Sequence, residues 1–186
     1  ITDFSANVIH CEKISDSNRS SLSFSNEVEQ EPTHMVVLDR TLFYPEGGGQ
    51  LGDQGVFFFN SEIGETKVLD TKIEKGVIIH FTDGELSTGL INAKVNRIRR
   101  IQLMDHHTAV HIVGGATREI LGPHIRQAGS NKGEKYARID LTHHSRMSRD
   151  LLDIIEDKAN EIVQSNPDVE KIIMSRADAD AKFGFD

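Results

Sequence analysis

The sequence has a single cysteine, Cys11, no tryptophan and four prolines in 186 residues. One cysteine cannot build an internal disulfide framework or a multi-cysteine zinc site. It makes a reducing, cytoplasmic setting the natural reading. No apolar run approaches the roughly 20 residues of a membrane helix. The opening ITDFSANVIHCEK lacks the basic-then-apolar order of a secretory signal. It also lacks an initiator methionine, which points to a fragment of a longer chain. An excess of positive charge is missing too: the formal net charge is −8. Residues 1–95 hold 7 Lys+Arg and 15 Asp+Glu, whereas residues 96–186 hold 14 of each. This balance argues against bulk-charge binding to DNA, while a local patch in the second half remains compatible with RNA.

Short apolar runs separated by Gly and Asp-Gly punctuation predict strands over 4–14, 36–38, 55–60, 66–73, 76–81 and 90–98. Residues 15–32, rich in Ser, Asn and Glu, read as a solvated loop or irregular hairpin. Strands at this spacing indicate a small barrel or sandwich over about 1–95. The pattern then changes to α+β. Helical periodicity runs over 100–121 and 149–164, the latter behind the N-cap Ser148. Strands are predicted at 124–130, 135–142 and 169–174, with a short helix over 175–183.

Three constellations carry chemistry. His107-Thr-Ala-Val-His111 places two imidazoles at i and i+4 on one helical face, a spacing that can chelate zinc. Thr108 stands where a zinc protease needs its glutamate, which argues against that class. The remaining ligand candidates are His10, Cys11, His34, His80, His106, His124, His143 and His144, none at a diagnostic spacing. The second constellation is Thr41-Leu-Phe-Tyr-Pro-Glu-Gly-Gly-Gly-Gln50-Leu-Gly-Asp53-Gln-Gly55. It lacks the Lys-Ser/Thr of a nucleotide phosphate loop and the glycine spacing of a dinucleotide fingerprint. Its glycines allow close backbone approach, and Thr41, Gln50 and Asp53 offer hydrogen bonds to a polar ligand. The third is a basic set: Arg97, Arg99, Arg100, Arg118, Arg126, Lys132, Lys135 and Arg138. Arg97 and Arg99 share a face if 90–98 is a strand, and would then meet phosphates.

Together, the Thr41–Gln50 loop with Asp53 and Gly55, the His107/His111 pair and the 122–144 segment resemble alanyl-tRNA editing domains. Such domains occur within alanyl-tRNA synthetases and as free-standing proteins. Arg138-Ile-Asp-Leu-Thr-His143 and Lys182-Phe-Gly-Phe185 resemble the archaeal type of synthetase most. The likeness covers about residues 33–186. It implies a β-barrel (1–95) carrying the glycine-rich motif, followed by an α+β editing domain (96–186) shared with threonyl-tRNA synthetase. The implied reaction is hydrolysis of the ester of Ser-tRNA(Ala) or Gly-tRNA(Ala), a second sieve for amino acids that a pocket sized for alanine rejects poorly. The partner is tRNA(Ala), with no membrane and no DNA. The implied roles give His107 and His111 to zinc, Thr41 to the serine hydroxyl, Gln50 to the ester or an attacking water, and Asp53 to bracing the loop.

One departure from the family matters. Its zinc site is completed by a downstream Cys-x-x-x-His pair, and no such pair occurs in residues 1–186. Zinc is therefore expected to be held weakly or not at all. The ATP-binding aminoacylation domain of a parent ligase is also absent from this sequence, so alanine activation is not expected. The alternative reading is a noncatalytic tRNA-binding fragment with an incomplete metal site.

Overall fold

The computed structural model describes residues 2–59 and 63–183. Residue 60 of the strand expected over 55–60, and residues 184 and 185 of the Lys182–Phe185 motif, lie outside the described residues. The strands are β1 (Asp3–Lys13), β2 (His34–Leu38), β3 (Gly55–Phe59), β4 (Ile63–Glu74), β5 (Val77–Thr82) and β6 (Gly89–Val95), and a one-turn helix α1 (Asp16–Arg19) follows β1. They close into a barrel in the order β1-β2-β5-β4-β3-β6. Every pairing is antiparallel, and β6 closes the ring by pairing with both β3 and β1. Closure leaves no free strand edge.

Period-two alternation fills the barrel. Ile91, Ala93 and Val95 of β6, Ala6 and Val8 of β1, and Val36 and Leu38 of β2 all point inward. Phe43 enters from the glycine-rich loop and packs edge-to-face on Phe57 at 5.5 Å between ring centroids. Burying each large side chain of this kind contributes about 1.5–3 kcal/mol.

The second half begins with α2 (Arg97–Leu121), capped by the Asn96 side chain, which accepts from the Arg99 amide. This cap ends β6 at Val95, so the strand predicted to 98 is shorter. Residues 97 and 99 are helical, about 200° apart around the axis rather than on one strand face. An antiparallel hairpin follows, β7 (Gln127–Lys132) and β8 (Ala137–Leu141); β7 starts and ends later than the expected 124–130, and β8 falls within the expected 135–142. Helix α3 (Arg149–Ser165) starts at the cap Ser148 and stops at Asn166, which adopts φ 45° before Pro167. Both α3 and the hairpin pack on α2. Helix α4 (Arg176–Phe183) buries none of its described side chains.

Residues 169–174 are not a strand. The VEKIIM pattern finds no ladder partner among the described residues, and Ile173 is 91% exposed. A lone extended segment leaves its backbone to water, so apolar alternation alone does not make a strand. The 15–32 segment is irregular yet tethered. Glu27 accepts from Arg99 Nη1 (2.8 Å) and from the Glu134 amide (2.8 Å). No described helix is long and apolar enough to cross a membrane.

Candidate active site

The glycine-rich loop bridges the two halves, and each half grips a different stretch of it. On the barrel side, Asp53 is 1% exposed and accepts from the Tyr44 amide (2.6 Å) and from Arg100 Nε (2.8 Å) and Nη2. Arg100 Nη2 also donates to the Leu42 carbonyl (2.6 Å). One ion pair thus fastens the start and end of the loop to the first turn of α2.

Thr41 is set by a buried histidine. His80 lies inside the barrel, and its Nδ1 sits 3.1 Å from the Val36 carbonyl. A carbonyl only accepts, so Nδ1 carries the proton and Nε2 is the acceptor. Burial pushes the His80 pKa down to about 4, so the ring is neutral at pH 7. The Thr41 hydroxyl, 2.9 Å from Nε2, therefore donates to it, while accepting from the Phe43 amide at 3.0 Å. One Thr41 lone pair is left to accept a further bond.

On the helix side, the loop docks on β7. The Lys132 amide donates to the Gly49 carbonyl (2.7 Å), and the Leu51 amide donates to the Lys132 carbonyl (3.2 Å). Lys132 Nζ, almost fully buried, donates to the Gly48 carbonyl (2.6 Å) and to Ser130 Oγ (2.5 Å). Gly49 has φ 78°, and a Cβ there would stand 2.4 Å from the Ser130 carbonyl oxygen. Only glycine permits this approach.

This docking carries Gln50 to α2. Gln50 Oε1 lies 2.8 Å from His107 Nδ1. An amide oxygen only accepts, so the imidazole donates from Nδ1 and keeps its Nε2 lone pair free. His107 stacks on His111 with ring centroids 5.2 Å apart. Arg100, His107 and His111 share one face of α2, at offsets of 7 and 11 residues. Burial first, then Lys132 and His111, lowers the His107 pKa, which favours the neutral ring a metal binds. A Cβ on Gly48 would come to 3.6 Å from His107 Cε1, so the loop forms a cradle against that ring. His107 and His111 thus fit as two neutral nitrogen ligands, one already oriented by a hydrogen bond from its far nitrogen. Among the described residues no third His, Cys, Asp or Glu joins them in a metal-binding group.

Beside His111, a cleft of about 360 Å³ opens between α2 and the hairpin, lined by Gly114, Arg118, Arg126 and Gln127 among others. The rest of the basic set does not form one patch. Arg99 is buried and ion-paired with Glu27 (2.8 Å) and Glu134 (2.9 Å), and Lys132 is spent on the loop. Neither is available to phosphate, which corrects the expectation that Arg97 and Arg99 act together. Sequence reasoning gave no role to His80 as the partner of Thr41. The available signal was a lone polar residue in the apolar GVIIHF strand. The other unassigned role was that of Lys132, and no local pattern marks it.

Residues 5–99 match the family of tRNA synthetases class II (A), which begins ahead of the motif likeness at residue 33. The chain is 42% identical over 161 residues to the alanine–tRNA ligase of Natronomonas pharaonis, covering 86% of this chain and 17% of that protein. It is 43% identical over 159 residues to the alanine–tRNA ligase of Haloquadratum walsbyi, covering 85% and 17%. With that of Metallosphaera sedula, identity is 35% over 176 residues, covering 93% and 19%. The chain spans less than a fifth of the length of these curated relatives.

Proposed function

The chain belongs to the alanyl-tRNA synthetase family, and from that premise we propose that it is the editing region, hydrolysing the ester of Ser-tRNA(Ala) or Gly-tRNA(Ala) in the cytoplasm. The observation that carries this reading is the docking of the glycine-rich loop on β7 against α2, where Gln50 meets His107 while Thr41 keeps one acceptor lone pair.

In the reaction, water oxygen bonds to the acyl carbon as the acyl bond to the ribose oxygen breaks. That oxygen takes a proton, releasing amino acid and tRNA. An aminoacyl ester is activated, so positioning supplies much of the rate. Thr41 supports selection of serine, because its hydroxyl hydrogen is committed to His80. It can accept from a serine hydroxyl, and alanine has no such donor. The Gln50 side-chain NH2 has no acceptor among the described residues, so it is left to donate to the ester carbonyl. Arg126, exposed at the cleft mouth beside His111, is placed to meet a phosphate of the tRNA end. A zinc ion held by His107 and His111 would supply positive charge that orients the acyl group.

The test is hydrolysis of Ser-tRNA(Ala) beside Ala-tRNA(Ala), with Thr41→Val in parallel. Selective loss of serine, with selectivity reduced at least about tenfold by Thr41→Val, supports the reading. A second reading, tRNA docking without catalysis, draws on the two-ligand metal group. It predicts no hydrolysis and a steep salt dependence of tRNA affinity that Thr41→Val leaves unchanged.

A further inference from the structure

A second histidine group lies at the far end of α2 from His107. His124 follows the helix C-terminus, and His143 and His144 follow β8. The three offer ligand nitrogens that all lie within 4.8 Å of one another. By helical rise, about 20 Å separates residues 107 and 121, so this group is distinct from the His107/His111 pair.

We propose that His124, His143 and His144 form a separate binding site for a zinc-type divalent cation, which clasps the exit of α2 to the exit of β8. The spacing is already that of ligands. Two nitrogens at 2.0–2.1 Å from a tetrahedral zinc stand about 3.3 Å apart, and His124 Nε2 lies 3.2 Å from His143 Nδ1. The rings of His143 and His144 have centroids 4.5 Å apart, and those of His124 and His144 6.1 Å. Rotations of the exposed His144 side chain bring in the third nitrogen.

The backbone beneath is stitched in place. The Thr142 hydroxyl donates to the His124 carbonyl (2.7 Å) and accepts from the Arg126 amide (2.8 Å). The Thr142 amide donates to the Arg126 carbonyl (2.9 Å). Residues 124 and 143 are therefore held side by side before any ion arrives, which lowers the ordering cost of binding.

Three imidazoles and no carboxylate in the group select a borderline metal over calcium or magnesium, which take oxygen ligands. The proton now shared between His124 Nε2 and His143 Nδ1 moves to the far nitrogen of its own ring when the ion binds. If that ring is His143, its Nε2–H then donates a hydrogen bond to Ser145 Oγ, 3.4 Å away. With three protein ligands the fourth position stays open to water.

The test is calorimetric titration of Zn²⁺ alone into the His107→Ala/His111→Ala chain at pH 7.5, with thermal melts alongside. One zinc per chain and a Tm that rises with zinc concentration are expected. Adding His143→Ala or His144→Ala should weaken binding at least about tenfold and remove the rise, with the far-UV spectrum unchanged. No saturable binding, or binding that survives both added substitutions, overturns the proposal. If the double variant does not fold, the unaltered chain is read by imidazole ¹⁵N resonances. Zinc should then shift those of His124, His143 and His144, and their silence overturns the proposal equally.

Discussion

The barrel and the helix–hairpin half solve the burial problem differently. The barrel closes on itself and its apolar side chains form one cluster, with Phe57 and Val36 fully enclosed. The second half packs α3 and a two-stranded sheet on α2. In α3 only Ile155 and Ala159 are buried, while Leu152 and Ile154 of that helix and Ile172 and Ile173 beyond it are exposed. The contrast shows where each half keeps its polar groups. Inside the barrel they are few, such as the neutral ring of His80. Between the halves they are many and interlocked, as in Arg100–Asp53, Arg99–Glu27–Glu134 and Lys132–Gly48. The candidate site falls on the interlocked boundary, where polar side chains can be both oriented and reached.

The largest expected effect is on the closed side. Phe57→Ala should cost about 3–5 kcal/mol, because the enclosed site cannot collapse around the void. Urea unfolding measures it, and a cost below about 1 kcal/mol would mean the barrel does not dominate stability.

Next comes acid stability, in which two barrel groups oppose each other. The His80 pKa, lowered to about 4, contributes stability that is present above the unfolded value near 6.5 and is lost as pH falls towards 4. Asp70, raised to about 6 by burial, contributes stability that is present below 3.8 and is lost as pH rises through 6. The two windows overlap and nearly cancel between pH 4 and 6. Asp70→Asn removes one arm. From pH 6.5 to 4 its stability should then fall more steeply than the parent's, by about 2 kcal/mol. Parallel pH curves for the two proteins would contradict this account.

The boundary itself is probed by Gly49→Ala. The positive φ and the approach to Ser130 should cost about 1–3 kcal/mol and undock the loop. Loss of the hydrogen-bonded His107 Nδ1–H signal in the NMR spectrum would report the release of Gln50. A retained signal would mean the loop is held from the barrel side alone. The smallest effect is expected at Ile173→Ala, within about 0.5 kcal/mol. A larger loss in a melt would reveal packing for the 169–174 segment.

Much of this was readable in the residues. Alternation and turn chemistry marked the six barrel strands, because a side-chain period of two and Gly punctuation are local properties. The His107/His111 pair was legible because a helix converts i, i+4 spacing into a shared face. The 169–174 pattern misled because a strand needs a partner that its own residues cannot specify. The Arg97/Arg99 expectation failed because Asn96 caps a helix where the strand reading continued.

The sequence by itself determined the local elements, the loop whose glycines permit close approach, and the pairing of two histidines. Only the tertiary structure decided what those residues do to one another. Thr41 becomes an acceptor because His80, 39 positions away, takes its hydrogen. Gln50 orients His107 across 57 positions. His124 meets His143 only once α2 and the hairpin have folded together. Hydrogen-bond direction and ligand spacing depend on ångström-scale placement of distant segments, and no local periodicity encodes that.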